Sequence, residues 1–175
     1  MATAATDFAQ LASELEAEGL TAKNAERIGK ELAKAFRVKD DEVGILRLDK
    51  QHLVFVYPAK LQSVGSIPLN TSSSVAVRTA NSKRAEAINN FAQIKHTSIF
   101  EAVELGTPTL GMDGERQVRV IQKLMSAPVV GPNGTRGVIQ VSRKGHTAPG
   151  SGPDFTPADL QRLVAIANSL VRCFK

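Results

Sequence analysis

The sequence predicts an α+β domain in which an antiparallel sheet is covered by helices. The first indication is a hairpin, since two runs rich in Val, Ile, Leu and Met flank Gly131-Pro132-Asn133-Gly134. Asn-Gly supplies the positive φ angles that a tight hairpin turn requires, so the runs are expected to pair as antiparallel neighbours. The second indication is the amphipathic helical pattern close to both ends of the chain.

Both strands of this hairpin are expected to lie inside the sheet. Apolar residues occupy both parities, with Val129 and Val130 before the turn and Val138, Ile139 and Val141 after it. A strand with one face in water would alternate between apolar and polar residues, so helices or loops should cover both faces. A hairpin at the edge of a β-sandwich is the alternative.

The last helix has the most complete set of start signals. Thr156 is placed as the N-cap, Pro157 occupies the first helical position, and Asp159 is an acid near the positive end of the helix. Phe155 and Leu160 are spaced for a hydrophobic staple. The apolar stripe of this helix consists of Leu160, Leu163, Val164, Ala167, Leu170, Val171 and Phe174.

Two further helices are predicted at the start of the chain. The first runs from Thr6, its expected cap, to Glu18, and Gly19 ends it. Thr21 should cap the second, in which Gly29 interrupts the apolar side and suggests that another helix approaches closely. The apolar side of this second helix consists of Ala25, Ile28, Leu32, Ala35 and Phe36.

A second hairpin is expected from Val43 to Asp49 and from Leu53 to Tyr57, because Pro58 offers no backbone donor and ends the second strand. The signal is weaker between residues 60 and 118. The elements predicted there are a short edge strand at 67–69, a helix from 75 to near 81, a short strand at 87–89, a short helix at 96–103 and a loop over 104–115.

Four segments together resemble the GAF domain family by their order and spacing, over residues 20–175. They are Leu124-Met125-Ser126-Ala127-Pro128-Val129, Gly134, Gly137-Val138-Ile139-Gln140-Val141 and Asp154-Phe155-Thr156-Pro157-Ala158-Asp159. The resemblance implies a GAF/PAS-like fold with an antiparallel sheet of about six strands. The N- and C-terminal helices would cover one face, and short helices and loops would roof a pocket on the other. Residues 1–19 would form an N-terminal helix outside the GAF-like domain at 20–175.

Composition excludes several classes of protein. With 175 residues, 42% of them hydrophobic and 22% charged, the chain has the composition of one folded domain. Residues 1–7 lack the features of a secretion signal and no apolar run is long enough to span a bilayer, so a cytoplasmic protein without membrane contact is expected. The net charge of +5 is scattered, and seven Phe, one Tyr and no Trp offer little for stacking bases, so no nucleic-acid partner is expected.

The sequence carries no motif for catalysis. There is no phosphate loop, no paired-histidine zinc motif and no nucleophile elbow. His52, His96 and His146 lie in separate segments, so neither a metal site nor a cofactor is expected. The enzymatic members of the family reduce free methionine sulfoxide with several pocket cysteines, and the photoreceptor members attach a bilin through one. No cysteine precedes Cys173 here, so the resemblance implies neither role and no enzyme.

Ten residues are candidates for the pocket that the resemblance implies. Arg78 and Thr79 lie on the middle helix, where an arginine offers a planar fork for a carboxylate or phosphate. Arg78 could equally be a solvated charge, and the apolar candidates could be plain core residues. The candidate walls are Phe91, His96, Ile99 and Phe100, and the candidate floor is Phe55, Tyr57, Met125 and Ser126.

The resemblance and the candidate pocket together predict a sensory module that binds an unknown small molecule and acts in trans on a signalling partner. The alternative is a dimerisation or protein-interaction module of the same fold with a filled pocket. A homodimer through the terminal helices is expected, because Ile166 and Cys173 lie outside the main stripe of the last helix and Gly29 invites close approach. In the other interpretation, the first helix folds back and covers this surface within one chain.

Overall fold

The computed structural model describes residues 4–71, 74–91, 109–110, 116–117 and 120–174. The helices are α1 (Ala4–Leu15), α2 (Ala22–Phe36), α3 (Val75–Ser82) and α4 (Pro157–Leu170). The strands are β1 (Val43–Asp49), β2 (His52–Tyr57), β3 (Ser66–Pro68), β4 (Glu86–Ile88), β5 (Thr109–Leu110), β6 (Arg116–Gln117), β7 (Val120–Gly131) and β8 (Gly134–Gly145).

Six of the strands form one antiparallel sheet in the order β3-β2-β1-β8-β7-β4, and β5 pairs with β6 separately. The predicted α+β fold is therefore confirmed. Both strands of the predicted hairpin lie inside the sheet, since β8 pairs with β1 and β7 while β7 pairs also with β4. The turn differs in detail, because a positive φ occurs at Gly134 but not at Asn133. Pro132 holds its own φ negative and so excludes a turn with two positive φ angles.

The sheet separates two apolar clusters. We call the side covered by α1, α2 and α4 the helix face, and the side covered by α3 the α3 face. The helix-face cluster includes Phe8, Ile28, Phe36, Ile139, Leu163 and Phe174. The α3-face cluster consists of Leu46, Leu53, Phe55, Leu61, Ile67, Val75, Ala76, Val77, Ala80, Phe91, Ile121, Leu124 and Val138.

The first helix packs against α4 within the same chain. It begins at Ala4, so Thr6 lies inside it and is not its cap, and Gly19 beyond its end has a φ of 74°. Ile166 and Cys173 are fully buried, and the Cys173 sulfur lies 3.6 Å from a backbone oxygen of α1. The premise that these residues leave apolar surface for a dimer is therefore wrong, because α1 covers them. The dimer itself stays a prediction.

The caps of α2 and α4 follow the sequence prediction. The Thr21 hydroxyl accepts a hydrogen bond from the Asn24 amide at 3.1 Å. Thr156 and Asp159 form a reciprocal capping box, with bonds of 3.1 and 2.8 Å. The explanation of Gly29 was wrong, because the group that approaches it is the ring of Tyr57 on β2 and not another helix.

The remaining elements agree with the sequence prediction to within one or two residues where they are described. The β1–β2 turn is made by Lys50 and Gln51, which both have positive φ. The predicted helix at 96–103 lies outside the described residues, and the loop predicted at 104–115 contains the short strand β5. In the described part of the chain, no helix combines the length and the apolar character needed to cross a bilayer.

Candidate functional site

The predicted pocket residues divide between the two faces of the sheet. Phe55 and Phe91 lie in the α3-face cluster, whereas Tyr57 and Met125 lie in the helix-face cluster. The three candidates His96, Ile99 and Phe100 lie outside the described residues.

Strand geometry explains this division. Met125 and Ser126 are neighbours on β7, and successive side chains of a strand point to opposite faces. Phe55 and Tyr57 would share a face in a regular strand, but Ile45 pairs with Tyr57 and the next residue, Leu46, pairs with Phe55. Val56 is therefore an extra residue in β2, and this bulge inverts the alternation.

Tyr57 is a core residue of the helix face. Its side chain is 6% exposed, and its ring lies against the backbone of Gly29. Burial, reinforced by the negative charge of Asp40, raises the pKa of Tyr57 to about 12.

The centre of the α3 face holds a buried polar cluster formed by Thr79, Ser126 and Gln140. The Thr79 hydroxyl donates to the Val75 carbonyl at 2.9 Å and lies 2.7 Å from the Ser126 hydroxyl. Since the Thr79 hydrogen is already used, the Ser126 hydroxyl donates to Thr79 Oγ1. Ser126 Oγ in turn accepts a hydrogen bond of 3.2 Å from Gln140 Nε2. The three side chains thus form a directed chain of hydrogen bonds from sheet to helix.

The Gln140 carboxamide retains hydrogen-bonding capacity after it has joined this chain. Nε2 has a second hydrogen, and no partner of Oε1 occurs among the described residues. On the neighbouring strands, Gln140 pairs with Gly44 on one side and Ser126 on the other. Gly44 has no side chain and Ser126 has a short one, so neither cross-strand neighbour is bulky.

Arg78 and Thr79 occupy different environments although they are adjacent on α3. The Arg78 side chain is 55% exposed and its Nε donates to Glu86 at 2.8 Å. This hydrogen bond raises the pKa of Arg78. Thr79 is fully buried in the polar cluster. Of the two, only Thr79 is joined to the centre of the α3 face.

The sequence prediction missed Gln140, although a signal for it existed. Gln140 stands between Ile139 and Val141 in a strand that was expected to be covered on both faces. A polar side chain at such a position needs a buried partner. Ser126 has the same character on β7, and the two residues are direct cross-strand partners.

The described part of the chain offers few other groups that could bind a metal or react. No group of three or more His, Cys, Asp or Glu residues is arranged to hold a metal ion there. His52 is exposed at the start of β2, and the Cys173 thiol is buried.

Solved structures with the same fold span nearly the whole chain. The GAF domain of an Acinetobacter phosphoenolpyruvate-protein phosphotransferase is 14% identical with a TM-score of 0.66, and the alignment covers 99% of this chain and 94% of that one. The A. aeolicus nlh2 GAF domain in an inactive state is 15% identical with a TM-score of 0.62, over 98% and 95% of the two chains. Reduced fRMsr of Staphylococcus aureus is 17% identical with a TM-score of 0.60, also over 98% and 95%.

No family model and no curated protein sequence matches the chain. Identities this low carry no argument about function, but the TM-scores and the coverage of both chains show a shared fold, so the chain has the GAF fold.

Proposed function

Starting from the GAF fold, we propose that this protein is a sensory module that binds a small molecule on the α3 face and acts in trans on a signalling partner. The observation that carries the proposal is the position of the Gln140 carboxamide. Its Nε2 donates a hydrogen bond to Ser126, which is in turn bonded to Thr79. Binding sites combine an apolar lining with a few fixed polar groups. The α3 face has this composition, since the apolar residues around the polar cluster include Leu46, Phe55 and Leu124.

The chemistry of Gln140 suggests the class of ligand. Its Oε1 accepts hydrogen bonds and its remaining Nε2 hydrogen is a donor, side by side in one plane. A ligand edge that also carries a donor next to an acceptor, as in an amide or a nitrogen heterocycle, complements this arrangement. We therefore expect an uncharged planar ligand, and Arg78 is less suited to anchor an anion than the sequence suggested, because Glu86 already pairs with it.

The alternative function is an interaction module whose α3 face is filled by its own side chains. Phe91 favours this alternative, since it is 1% exposed and belongs to the α3-face cluster. A filled face would leave no room for a small molecule. The two functions therefore differ in whether a ligand reaches Gln140.

Titration calorimetry with nicotinamide, uracil and hypoxanthine tests the proposal, because each compound carries an amide-like edge. We expect at least one to bind the unmodified protein. Gln140→Leu, which keeps the size of the side chain but removes its polar groups, should weaken that binding about tenfold or more, since two hydrogen bonds are lost. Gln161→Leu makes the same change at an exposed position on α4 and should bind like the unmodified protein.

Two results would contradict the proposal. If none of the three compounds binds, the amide class is excluded and the filled-face alternative is favoured. If Gln140→Leu binds as tightly as Gln161→Leu, the ligand does not contact the carboxamide. Sedimentation velocity with and without the bound compound then tests whether binding changes assembly, which is the expected route to a partner in trans.

A further inference from the structure

A groove of about 600 Å³ lies on the helix face, where the end of α2 meets the start of α4. Residues of α2, β8 and α4 contribute to its lining. The charged residues around it are Lys34, Arg37, Asp154, Asp159, Arg143 and Arg162. Cations therefore outnumber acids in this groove, which we call the arginine groove.

Both acids of the arginine groove already have partners other than the arginines. Asp154 forms an ion pair of 2.9 Å with Lys123, whose side chain is 6% exposed. Asp159 accepts a hydrogen bond of 2.8 Å from the backbone amide of Thr156 and so completes the cap of α4. Neither carboxylate is paired with an arginine of the groove.

Arg143 and Arg162 are held side by side at the end of α2. Arg143 donates to the Phe36 carbonyl at 3.4 Å, and Arg162 donates to the carbonyl of the preceding residue, Ala35. Arg143 stacks over the Phe155 ring and Arg162 over the Phe36 ring, each at 4.8 Å from the ring centroid. Their guanidinium groups are thus fixed before any ligand arrives, which lowers the entropy lost on binding.

The positive charge of these side chains is not balanced within the groove. Among the described residues, Arg37, Arg143 and Arg162 form no ion pair, and the Nε atoms of Arg143 and Arg162 have no hydrogen-bond partner. Like charges held close together repel each other unless an opposite charge lies between them. An anion in the groove would relieve this repulsion and meet planar forks that match its oxygen atoms.

We propose that the arginine groove binds a phosphate group, either as inorganic phosphate or as a phosphate monoester of a small molecule. A phosphate monoester carries a charge between −1.5 and −2 at neutral pH, roughly matching two guanidinium groups. Arg143 and Arg162 would bind the phosphate oxygens. The exposed Arg37, which also lines the groove, would contact the phosphate from the solvent side. This site is separate from the one proposed on the α3 face, because the groove lies on the other side of the sheet.

Calorimetric titration with inorganic phosphate and with glycerol 3-phosphate, at constant ionic strength set with chloride, tests the proposal. We expect saturable binding of at least one of them. Tighter binding of glycerol 3-phosphate would identify a monoester as the preferred form, and tighter binding of phosphate would identify the free ion. Arg143→Met and Arg162→Met should each weaken binding at least tenfold, because each removes one charged fork.

The controls separate a binding role from a structural one. Arg84→Met removes the same charge from an exposed loop position and should leave phosphate affinity unchanged. Arg143 and Arg162 also contact the end of α2, so their variants are tested for folding by circular dichroism. If either fails to fold, Arg37→Met replaces it, and we expect about threefold weaker binding.

The proposal is overturned if neither phosphate compound binds the unmodified protein more strongly than chloride. It is also overturned if Arg84→Met weakens phosphate binding as much as the folded groove variants do, because binding would then follow net charge alone. Loss of phosphate binding with intact binding at Gln140 would leave the proposed sensory function unaffected.

Discussion

The two faces of the sheet are both covered, but they bury different kinds of side chain. On the helix face, α1, α2 and α4 contribute apolar residues such as Phe8, Ile28 and Leu163, all at most 4% exposed. On the α3 face, the apolar cluster surrounds three buried polar side chains, Thr79, Ser126 and Gln140.

This difference has an energetic meaning. Buried apolar side chains stabilise the fold in proportion to the area that they remove from water. Buried polar side chains at best recover the cost of leaving water, and only when they are hydrogen-bonded. The helix face is therefore expected to carry most of the stability, and the polar centre of the α3 face is expected to contribute less.

Deleting residues 1–19 should have the largest effect, because it uncovers the helix face. Phe8, Leu11 and Leu15 are buried, and each fully buried apolar side chain contributes about 1.5–3 kcal/mol. We expect a loss of roughly 4–9 kcal/mol in the free energy of unfolding, measured by urea denaturation. The shortened chain should also associate in sedimentation experiments, since Ile166 becomes exposed.

The single cysteine provides a second measurement on the same deletion. The Cys173 thiol is buried under α1 and should react slowly with a thiol reagent in the full chain but rapidly in the shortened one. A shortened chain that stays monomeric, stable and unreactive would mean that α1 is a dispensable extension and that the predicted boundary at residue 19 is correct.

Gly29→Ala tests how closely β2 and α2 pack on the helix face. An added Cβ would lie 2.5 Å from the Tyr57 ring, so we expect a destabilisation of about 1–3 kcal/mol. In an uncrowded helix the same change would stabilise by up to about 1 kcal/mol, so the sign of the effect is decisive. Lys30→Ala, one position further along α2 and exposed, serves as the control in thermal denaturation.

The titration of Tyr57 tests whether its ring is buried, as its packing on the helix face requires. Tyr57 is the only tyrosine, so the ultraviolet absorbance of the phenolate reports on it alone. We expect a midpoint near pH 12 in the folded protein, compared with 10.0 for an unperturbed tyrosine. Because the folded state favours the neutral ring, stability should be unaffected below pH 10 and should fall between pH 10 and 12. A midpoint near 10 would place the ring in solvent.

Arg78→Ala should have the smallest effect on stability. The Arg78–Glu86 pair lies at the surface, and exposed ion pairs contribute roughly 0–1 kcal/mol. We expect a loss of less than about 1 kcal/mol in urea denaturation, most of it absent at high salt. A larger, salt-independent loss would show that Arg78 supports the packing of α3, for which Arg84→Ala is the matched exposed control.

Local signals in the sequence were sufficient to predict most of the helices and strands. The cap at Thr156, the hairpin around Pro132 and the apolar side of α2 depend on neighbouring residues, and each appears where it was predicted. The stripe of α4 was predicted only in part, because Ile166 is fully buried in it whereas Leu160 and Val164 are only partly buried. What could not be predicted depends on contacts between distant residues. The extra residue Val56 in β2 changes the face of Tyr57, yet nothing local distinguishes it from its apolar neighbours.

The candidate site was harder to predict for the same reason. Gln140 and Ser126 are 14 positions apart and meet Thr79 only through the register of β7 with β8 and the docking of α3. The sequence predicted Thr79 and Ser126 but not Gln140, which donates a hydrogen bond to Ser126. The arginine groove brings together residues of α2, β8 and α4, which no sequence motif connects.

Native mass spectrometry of the purified protein tests most directly whether the α3 face binds a ligand. We expect the unmodified protein and Gln161→Leu to retain a co-purifying small molecule, and Gln140→Leu to lose it. The free energy of unfolding of Gln140→Leu in the ligand-free state should fall by no more than about 1 kcal/mol, because the Ser126 hydroxyl keeps its hydrogen bond to Thr79 and no buried donor is left unpaired. Retention of the same molecule by Gln140→Leu, or loss of its fold, would contradict a role of Gln140 in recognition.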